Sequence, residues 1–325
     1  MITPIISHHI DHPSAWKSID FKSNDDFARD LEPRHIKALD LALNQVREAG
    51  LGIYHITKAN FPLDDIQDFV NRIKRELMDG RGFLVIGDRL GYVMDYSDSD
   101  PLERAYRNKY ELSLHTDLNE LIGMLNIRTA ARGGESQYAS AIAVHNEIFA
   151  TRPELLRPLY EGFHYHGRGE EAPGQEPVTP HKVPIFSTVD DVLSCRFVDA
   201  YMPAAAKESG IDMPAELLEA IACFQEIAAR DDFRLDMLVQ PGEMTFGNNF
   251  IVMHARSAFE NDPTDANKKR LFLRLWLDVE EAAARPHVPE VAVYDADSIT
   301  KQEGRTPVYA GDAWSDYESK REHVS

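Results

Sequence analysis

From Pro33 to Gly50 the chain reads PRHIKALDLALNQVREAG, with apolar residues at Ile36, Leu39, Leu41, Leu43 and Val46 and a closing glycine. That pattern predicts a helix with a glycine stop. LDDIQDFVNRIKRELMDG repeats the design, with Ile66, Phe69, Val70, Ile73 and Leu77 on one face and Gly80 at the end. A short apolar strand follows each helix, GIYHI and GFLVIG, so the N-terminal third reads as α/β. From about Leu112 strands broken by turns take over. LIGMLNIR is a buried strand stopped by Gly133-Gly134, and AIAVHNEIFATRPELLRPLYEG is one or two helices, with a capping box predicted at Thr151 and Glu154 around Pro153. IFSTVDDVLSCRFV predicts a hairpin around Val189-Asp190-Asp191, and PAELLEAIACFQEIAAR a helix starting at Pro214. Three strand candidates close the pattern: FRLDMLV, NFIVMHAR and KRLFLRLWLDV.

Strands joined by such long connections predict a mainly β fold with flanking helices, built on a double-stranded β-helix, or jelly-roll, core. The chain shows no internal repeat and no low-complexity linker, so we expect a single structural domain. Within it, residues 1–90 are expected to form N-terminal α/β elements packed on the core, 91–285 the double-stranded β-helix core with its helical insertions, and 286–325 a polar C-terminal tail.

Composition narrows the function. The 325 residues, 43% hydrophobic and 27% charged, suffice for a sizeable core. Thirty-five basic against 54 acidic residues give a formal charge of -19, which repels nucleic acid and anionic membranes, and no stretch is long and apolar enough to span a bilayer. A small anionic substrate must then meet a local concentration of Arg or Lys. Two cysteines, Cys195 and Cys223, are too few for a disulfide framework or a thiolate metal cage, and the N-terminus lacks the order of a secretory signal. The expectation is a cytoplasmic protein that acts on a small molecule and is a possible homo-oligomer.

His-x-Asp/Glu is a cheap motif: 13 His and 54 acids give 13 × 54/325, about two chance matches, and three occur, His9/Asp11, His145/Glu147 and His115/Asp117. Secondary structure separates them. Residues two apart share a face in a strand but diverge by about 200° in a helix. His145/Glu147 falls in a helix and His9/Asp11 in a loosely held N-terminus, which leaves His115 and Asp117 in the alternating stretch ELSLHTDLNEL. NFIVMHAR puts His254 and Arg256 on one strand face. In the following strand one face is Leu271, Leu273, Leu275, Leu277 and Val279, and the other is Arg270, Phe272, Arg274, Trp276 and Asp278. Phe and Trp between arginines suit the mouth of a ligand-binding barrel better than a solvated face. Two His and one carboxylate form the facial triad of non-haem Fe(II) oxygenases, and an arginine beyond them suits a carboxylate cosubstrate.

His115-Thr116-Asp117, Gly133-Gly134-Glu135-Ser136, His254, and Arg270 with Arg274 resemble, in that order, the taurine dioxygenase / clavaminate synthase-like family of Fe(II)- and 2-oxoglutarate-dependent oxygenases. The likeness spans Leu112 to Val279, and GRGFLVIGDRL before it is also similar. It implies an oxygenase requiring Fe(II), 2-oxoglutarate and O2, with His115, Asp117 and His254 binding the metal. It implies that Ser136 supports the distal carboxylate of 2-oxoglutarate and that Arg270 is its salt-bridge partner. Arg274 would meet either the cosubstrate or an acidic group on the prime substrate, and the spacing after His254 leaves the two arginines open to exchange. Related halogenases carry a small residue in place of the carboxylate, so Asp117 favours hydroxylation, desaturation or oxidative cleavage.

Asn126, Asn249 and Arg256 are candidate substrate contacts beside Arg274. The rival reading is a cupin-type metal enzyme using His164 and His166, followed by Glu170, although the cupin glycine and proline framework is absent. A non-catalytic binding protein on the same barrel is the other alternative.

Overall fold

A computed structural model describes residues 2–23, 26–52, 55–87, 111–167, 176–262, 264, 269–277, 279 and 284–291. In chain order the elements are β1 (Ala28–Asp30), α1 (Pro33–Glu48), α2 (Gln67–Met78), β2 (Phe83–Gly87), β3 (Leu112–His115), β4 (Leu121–Arg128), β5 (Arg132–Gly133), β6 (Ser136–Ser140), α3 (Ala141–Thr151) and α4 (Leu156–Glu161). There follow β7 (Phe186–Val189), β8 (Val192–Cys195), α5 (Tyr201–Ser209), α6 (Ala215–Ala229), β9 (Leu235–Met237), β10 (Met244–Asn248), β11 (Val252–Arg256), β12 (Phe259–Glu260) and β13 (Leu271–Leu277).

Among the described residues two sheets carry the site. One has five strands in the order β1-β2-β10-β4-β13, the other four in the order β3-β11-β6-β9. They face each other across a shared apolar core. Phe83 of β2 meets Tyr138 of β6 with ring centroids 4.1 Å apart, and the Tyr138 hydroxyl donates to Thr245 Oγ1 of β10 at 3.0 Å. Helices α3, α4 and α6 add Ile142, Leu159 and Phe224 to that core, each almost wholly buried. Ala38 of α1 and Phe69 of α2 bury a separate small cluster over Ile86, at the β2 end of the five-stranded sheet.

Several elements differ from expectation. In α1 the buried stripe is His35, Ala38, Ala42 and Val46, while Leu41 and Leu43 are exposed. Leucines two apart on a helix cannot share a face, and the 3-4-4 spacing of the smaller residues wins. The capping box at Thr151 does not form: the Thr151 hydroxyl donates to the Glu147 carbonyl and Glu154 pairs with Arg152. The sequence reading missed β6, β10 and α5. The β7–β8 hairpin forms as predicted, with Asp190 and Asp191 both at positive φ, the geometry of a two-residue turn. Of the predicted GIYHI strand, Gly52, His55 and Ile56 are described and form no strand, while residues 53–54 lie outside the described residues, as do Glu170, residues 88–110 and the tail beyond 291.

The edge strand β13 places its leucine row outward, with Leu273 50% and Leu275 43% exposed, and turns Phe272, Arg274 and Trp276 inward. The more polar row is the one facing the core, as the alternation of that strand suggested.

Candidate metal centre

The strand carrying the HxD stretch ends at His115, so Asp117 lies beyond β3 rather than within it. The expected shared strand face is therefore not what joins them; a tethered loop is. Thr116 N donates to the Phe197 carbonyl at 2.7 Å, and Phe197 N donates to Thr116 Oγ1 at 2.9 Å. Asp117 N donates to Asn249 Oδ1 at 3.0 Å, and Asn249 Nδ2 donates to the Asn119 carbonyl at 3.0 Å. The Arg196 guanidinium donates to the Asp117 carbonyl. These contacts fold the chain back so that the Asp117 carboxylate rejoins His115.

His254 arrives on β11, paired with His115 of β3 in antiparallel register. The two imidazoles lie 4.4 Å apart between centroids. Asp117 Oδ1 is 3.8 Å from His115 Nε2, and Oδ2 is 3.7 Å from His254 Nε2. First-row metal bonds to N and O run about 2.0–2.2 Å, so two donors on one ion can stand at most about 4.4 Å apart. Both Asp117–His distances fit that limit, and one donor atom from each of the three side chains lies within 4.8 Å of the others. Among the described residues no other group of His, Cys, Asp and Glu meets that test.

Electrostatics favour the ligating protonation states. Burial pushes the Asp117 carboxyl up, but Arg274, His254, His115 and the Trp276 hydrogen bond outweigh it and hold the group down to about 2. Burial, then the neighbouring His115, lowers His254 to about 3, so its imidazole is neutral. His115 presents Nδ1 to the Ser113 carbonyl at 2.8 Å, a contact that requires the proton on Nδ1 and leaves the Nε2 lone pair facing Asp117 and His254.

Arg274 of β13 and Arg270, the residue just before that strand, separate. Arg274 Nη1 donates to Asp117 Oδ2 at 3.3 Å, and the guanidinium lies 4.3 Å from the Trp276 ring centroid. Arg270 lies elsewhere, over the Phe272 ring at 4.0 Å, close to Arg256 and Tyr138. Burial, then Arg256, lowers Arg270 to about 10, and burial alone lowers Arg256 to about 10. Ser136 is buried at the start of β6, opposite Arg256 in the β11 register, and interacts with the Tyr138 hydroxyl. The buried Arg256 and the half-buried Arg270, with the Ser136 and Tyr138 hydroxyls nearby, form a cationic cluster that an anion would stabilise. Among the described residues no carboxylate forms an ion pair with Arg270.

Arg256 thus groups with Arg270 rather than beside the metal donors. Asn249 commits both ends of its amide to the HxD loop, accepting from Asp117 N and donating to the Asn119 carbonyl. Asn126 stays on the inner face beside Phe272, with Nδ2 donating to the Val239 carbonyl and a buried, unpartnered Oδ1. The cupin alternative finds no cluster among the described residues: His164 Nδ1 is bonded to the Thr179 carbonyl at 2.7 Å, His166 lies 4.0 Å from Glu208, and neither joins a donor group there. Sequence reasoning missed Arg196, Tyr138 and Thr245 altogether, and it read Trp276 as pocket wall.

No helix among the described residues is long and apolar enough to cross a membrane. The family model for taurine catabolism dioxygenase TauD, TfdA family matches residues 30–276, more than half of the chain. FR-33289 synthase of Streptomyces rubellomurinus is 31% identical over 207 residues, which cover 62% of this chain and 60% of that protein. Taurine hydroxylase-like protein SAT17 of Stachybotrys chartarum is 22% identical over 319 residues, covering 84% of this chain and 80% of that one. Among solved structures, asparagine oxygenase in complex with Fe(II), 2S,3S-3-hydroxyasparagine and succinate superposes with a TM-score of 0.53 at 12% identity, covering 76% of this chain and 92% of that one. Non-heme iron oxygenase OrfP in complex with Fe and alpha-ketoglutaric acid does so at 0.52 and 14%, covering 77% of this chain and 93% of that one. These structures share the fold.

Proposed function

Because this chain belongs to the taurine catabolism dioxygenase TauD, TfdA family, we propose that it is a non-haem Fe(II)- and 2-oxoglutarate-dependent oxygenase that oxidises a C–H bond, by hydroxylation, of a small acidic substrate. The observation that carries the proposal is the convergence of His115, Asp117 and His254 from two strands and a tethered loop, in a chain that also brings Arg270 and Arg256 together. The two facing sheets are read as the double-stranded β-helix, with the metal between them. Bound together, iron, 2-oxoglutarate and O2 supply the redox chemistry: the keto acid is decarboxylated to succinate as the substrate is oxidised.

The chain's own groups do the rest. His115, Asp117 and His254 hold the metal by three donors, which on an octahedral ion leaves positions for the keto acid and for O2. Arg270 binds the distal carboxylate of 2-oxoglutarate, with Ser136 and Tyr138 as hydroxyl partners and Arg256 adding charge; the separation of the two arginines supports Arg270 in this role over Arg274. Arg274, next to the metal-side carboxylate, is then placed to receive an acidic group of the prime substrate. Asp117 supplies a carboxylate where the related halogenases have a small residue, which supports hydroxylation over halogenation.

The test is anaerobic addition of Fe(II) and 2-oxoglutarate. A weak visible charge-transfer band is expected, and it should vanish in His115→Ala and Asp117→Ala. A protein that binds Fe(II) tightly but gives no band on adding 2-oxoglutarate would overturn the proposal. A panel of small carboxylic, amino and sulfonic acids, scored by substrate-stimulated succinate formation, would then identify the substrate.

A further inference from the structure

Trp276 Nε1 donates to Asp117 Oδ2 at 2.6 Å, the shortest side-chain contact that carboxylate makes. The same oxygen receives Arg274 Nη1 at 3.3 Å and lies 3.7 Å from His254 Nε2, so the indole and the guanidinium compete with any metal for it, while Oδ1 faces His115 Nε2 at 3.8 Å. We infer that Trp276 is a positioning residue: its N–H, with the Arg274 guanidinium, engages Oδ2 and leaves Oδ1 as the single oxygen presented to the metal. This inference rests on the function proposed above.

A free carboxylate can bind a metal through one oxygen or both, and it can swing between the two modes. Two donors on Oδ2 remove that freedom and keep a coordination position open for the cosubstrate. An indole N–H is suited to the task because it donates without carrying a charge, so it adds no second cation to the one Arg274 already places on that oxygen. The register explains the placement. Trp276 pairs with Ile122 on the inward row of β13, and the outward Leu275 and Leu277 leave the indole the one large ring on that end of the strand's inner face.

The two donors differ in how they are held. Arg274 keeps 24% of its side chain exposed, and its guanidinium rests on the indole. If a substrate anion draws Arg274 toward itself, as the proposed function has it, the Trp276 N–H is the donor that remains on Oδ2. Trp276 therefore keeps Asp117 oriented in both the substrate-free and the substrate-bound enzyme.

Trp276→Phe keeps the ring and deletes the donor. With the full-length protein under anaerobic conditions, the variant is expected to bind Fe(II) about 10- to 100-fold more weakly, the usual effect of removing a hydrogen bond to a metal ligand. Its Fe(II)–2-oxoglutarate band should shift in energy, and consumption of 2-oxoglutarate should run ahead of substrate oxidation. Unchanged Fe(II) affinity and an unchanged band in a folded variant would overturn the inference while leaving the proposed function standing. A wild-type protein that gives no band would overturn both. Should Trp276→Phe fail to fold, the wild-type indole N–H resonances decide: with Zn(II) as a diamagnetic probe, one should be shifted downfield and protected from exchange. That resonance should lose its shift and protection in Asp117→Ala, and its insensitivity to Asp117→Ala would sink the inference.

Discussion

A Cβ on Gly134 would stand 3.1 Å from Nε of Arg270 and 3.2 Å from the Cβ of Phe259. Gly134 also holds φ at +79°, next to Gly133 at +68°. The double glycine therefore turns the chain and leaves room for the guanidinium of the proposed 2-oxoglutarate anchor. In Gly134→Ala the methyl group must displace either Arg270 or the turn. The expected result is a rise in the KM for 2-oxoglutarate of about tenfold, with Fe(II) affinity unchanged. An unaltered KM would show that Arg270 does not need this seat.

The two arginines should separate by titration. Arg270→Gln removes the proposed partner of a buried carboxylate, a loss of about 2 kcal/mol or more, which is roughly 30-fold in 2-oxoglutarate affinity. Fe(II) binding should be untouched. Arg274→Gln should spare 2-oxoglutarate, weaken the prime substrate, and alter the metal band through Asp117 Oδ2. The opposite pattern, read from anaerobic band titrations and substrate-stimulated succinate formation, would exchange the two roles.

The parts of the site that sequence could give are those tied to periodicity. His254 and Arg274 lie on strands whose two faces differ in composition, Arg270 immediately precedes one, and position along such a strand predicts direction. Asp117 was identified for a partly wrong reason: it leaves the strand after His115, and Thr116, Asn249 and Arg196 return it. No spacing rule encodes a loop closed on Asp117 by residues 79 and 132 positions away. The strand SQYAS was missed because both of its faces are buried, which erases alternation. The donor role of Trp276 was invisible because a tryptophan on an inner face is ordinarily packing, and only the position of Oδ2 reveals the N–H contact.

Acid should destabilise the metal-free protein in a defined window. Burial lowers His145 to about 4 and His254 to about 3, from an ordinary histidine value of 6.5. Below pH 6.5 the unfolded chain takes up these protons and the folded chain does not, so stability falls as pH drops. The loss begins near 6.5 and continues to about 4 for His145 and about 3 for His254, below which both states are protonated. Asp117, depressed to about 2, loses its own contribution only below about pH 4. Thermal melts of the metal-free protein from pH 7 to pH 4 should show a steady decrease in Tm. A flat profile would mean that both imidazoles are already open to solvent.

Arg196 should separate stability from metal binding. Its side chain is 1% exposed, stacks 4.5 Å over the Phe250 ring, and keeps a buried Nε without a hydrogen-bond partner. Burial lowers its pKa to about 10, so the fold bears the cost of a desolvated cation. What the cation supplies in return is the donor on the Asp117 carbonyl, one of the contacts that bring the carboxylate back to His115. Arg196→Met keeps most of the volume and removes the buried charge. The Tm of the metal-free variant should stay within about 4 °C of wild type or rise, since replacing a buried charge with an apolar side chain is often neutral or stabilising. Fe(II) affinity should nonetheless fall by about tenfold, because the Asp117 loop has lost a tether. Should melting and metal titrations instead show stability and affinity collapsing together, Arg196 would be a residue of the fold and not of the site.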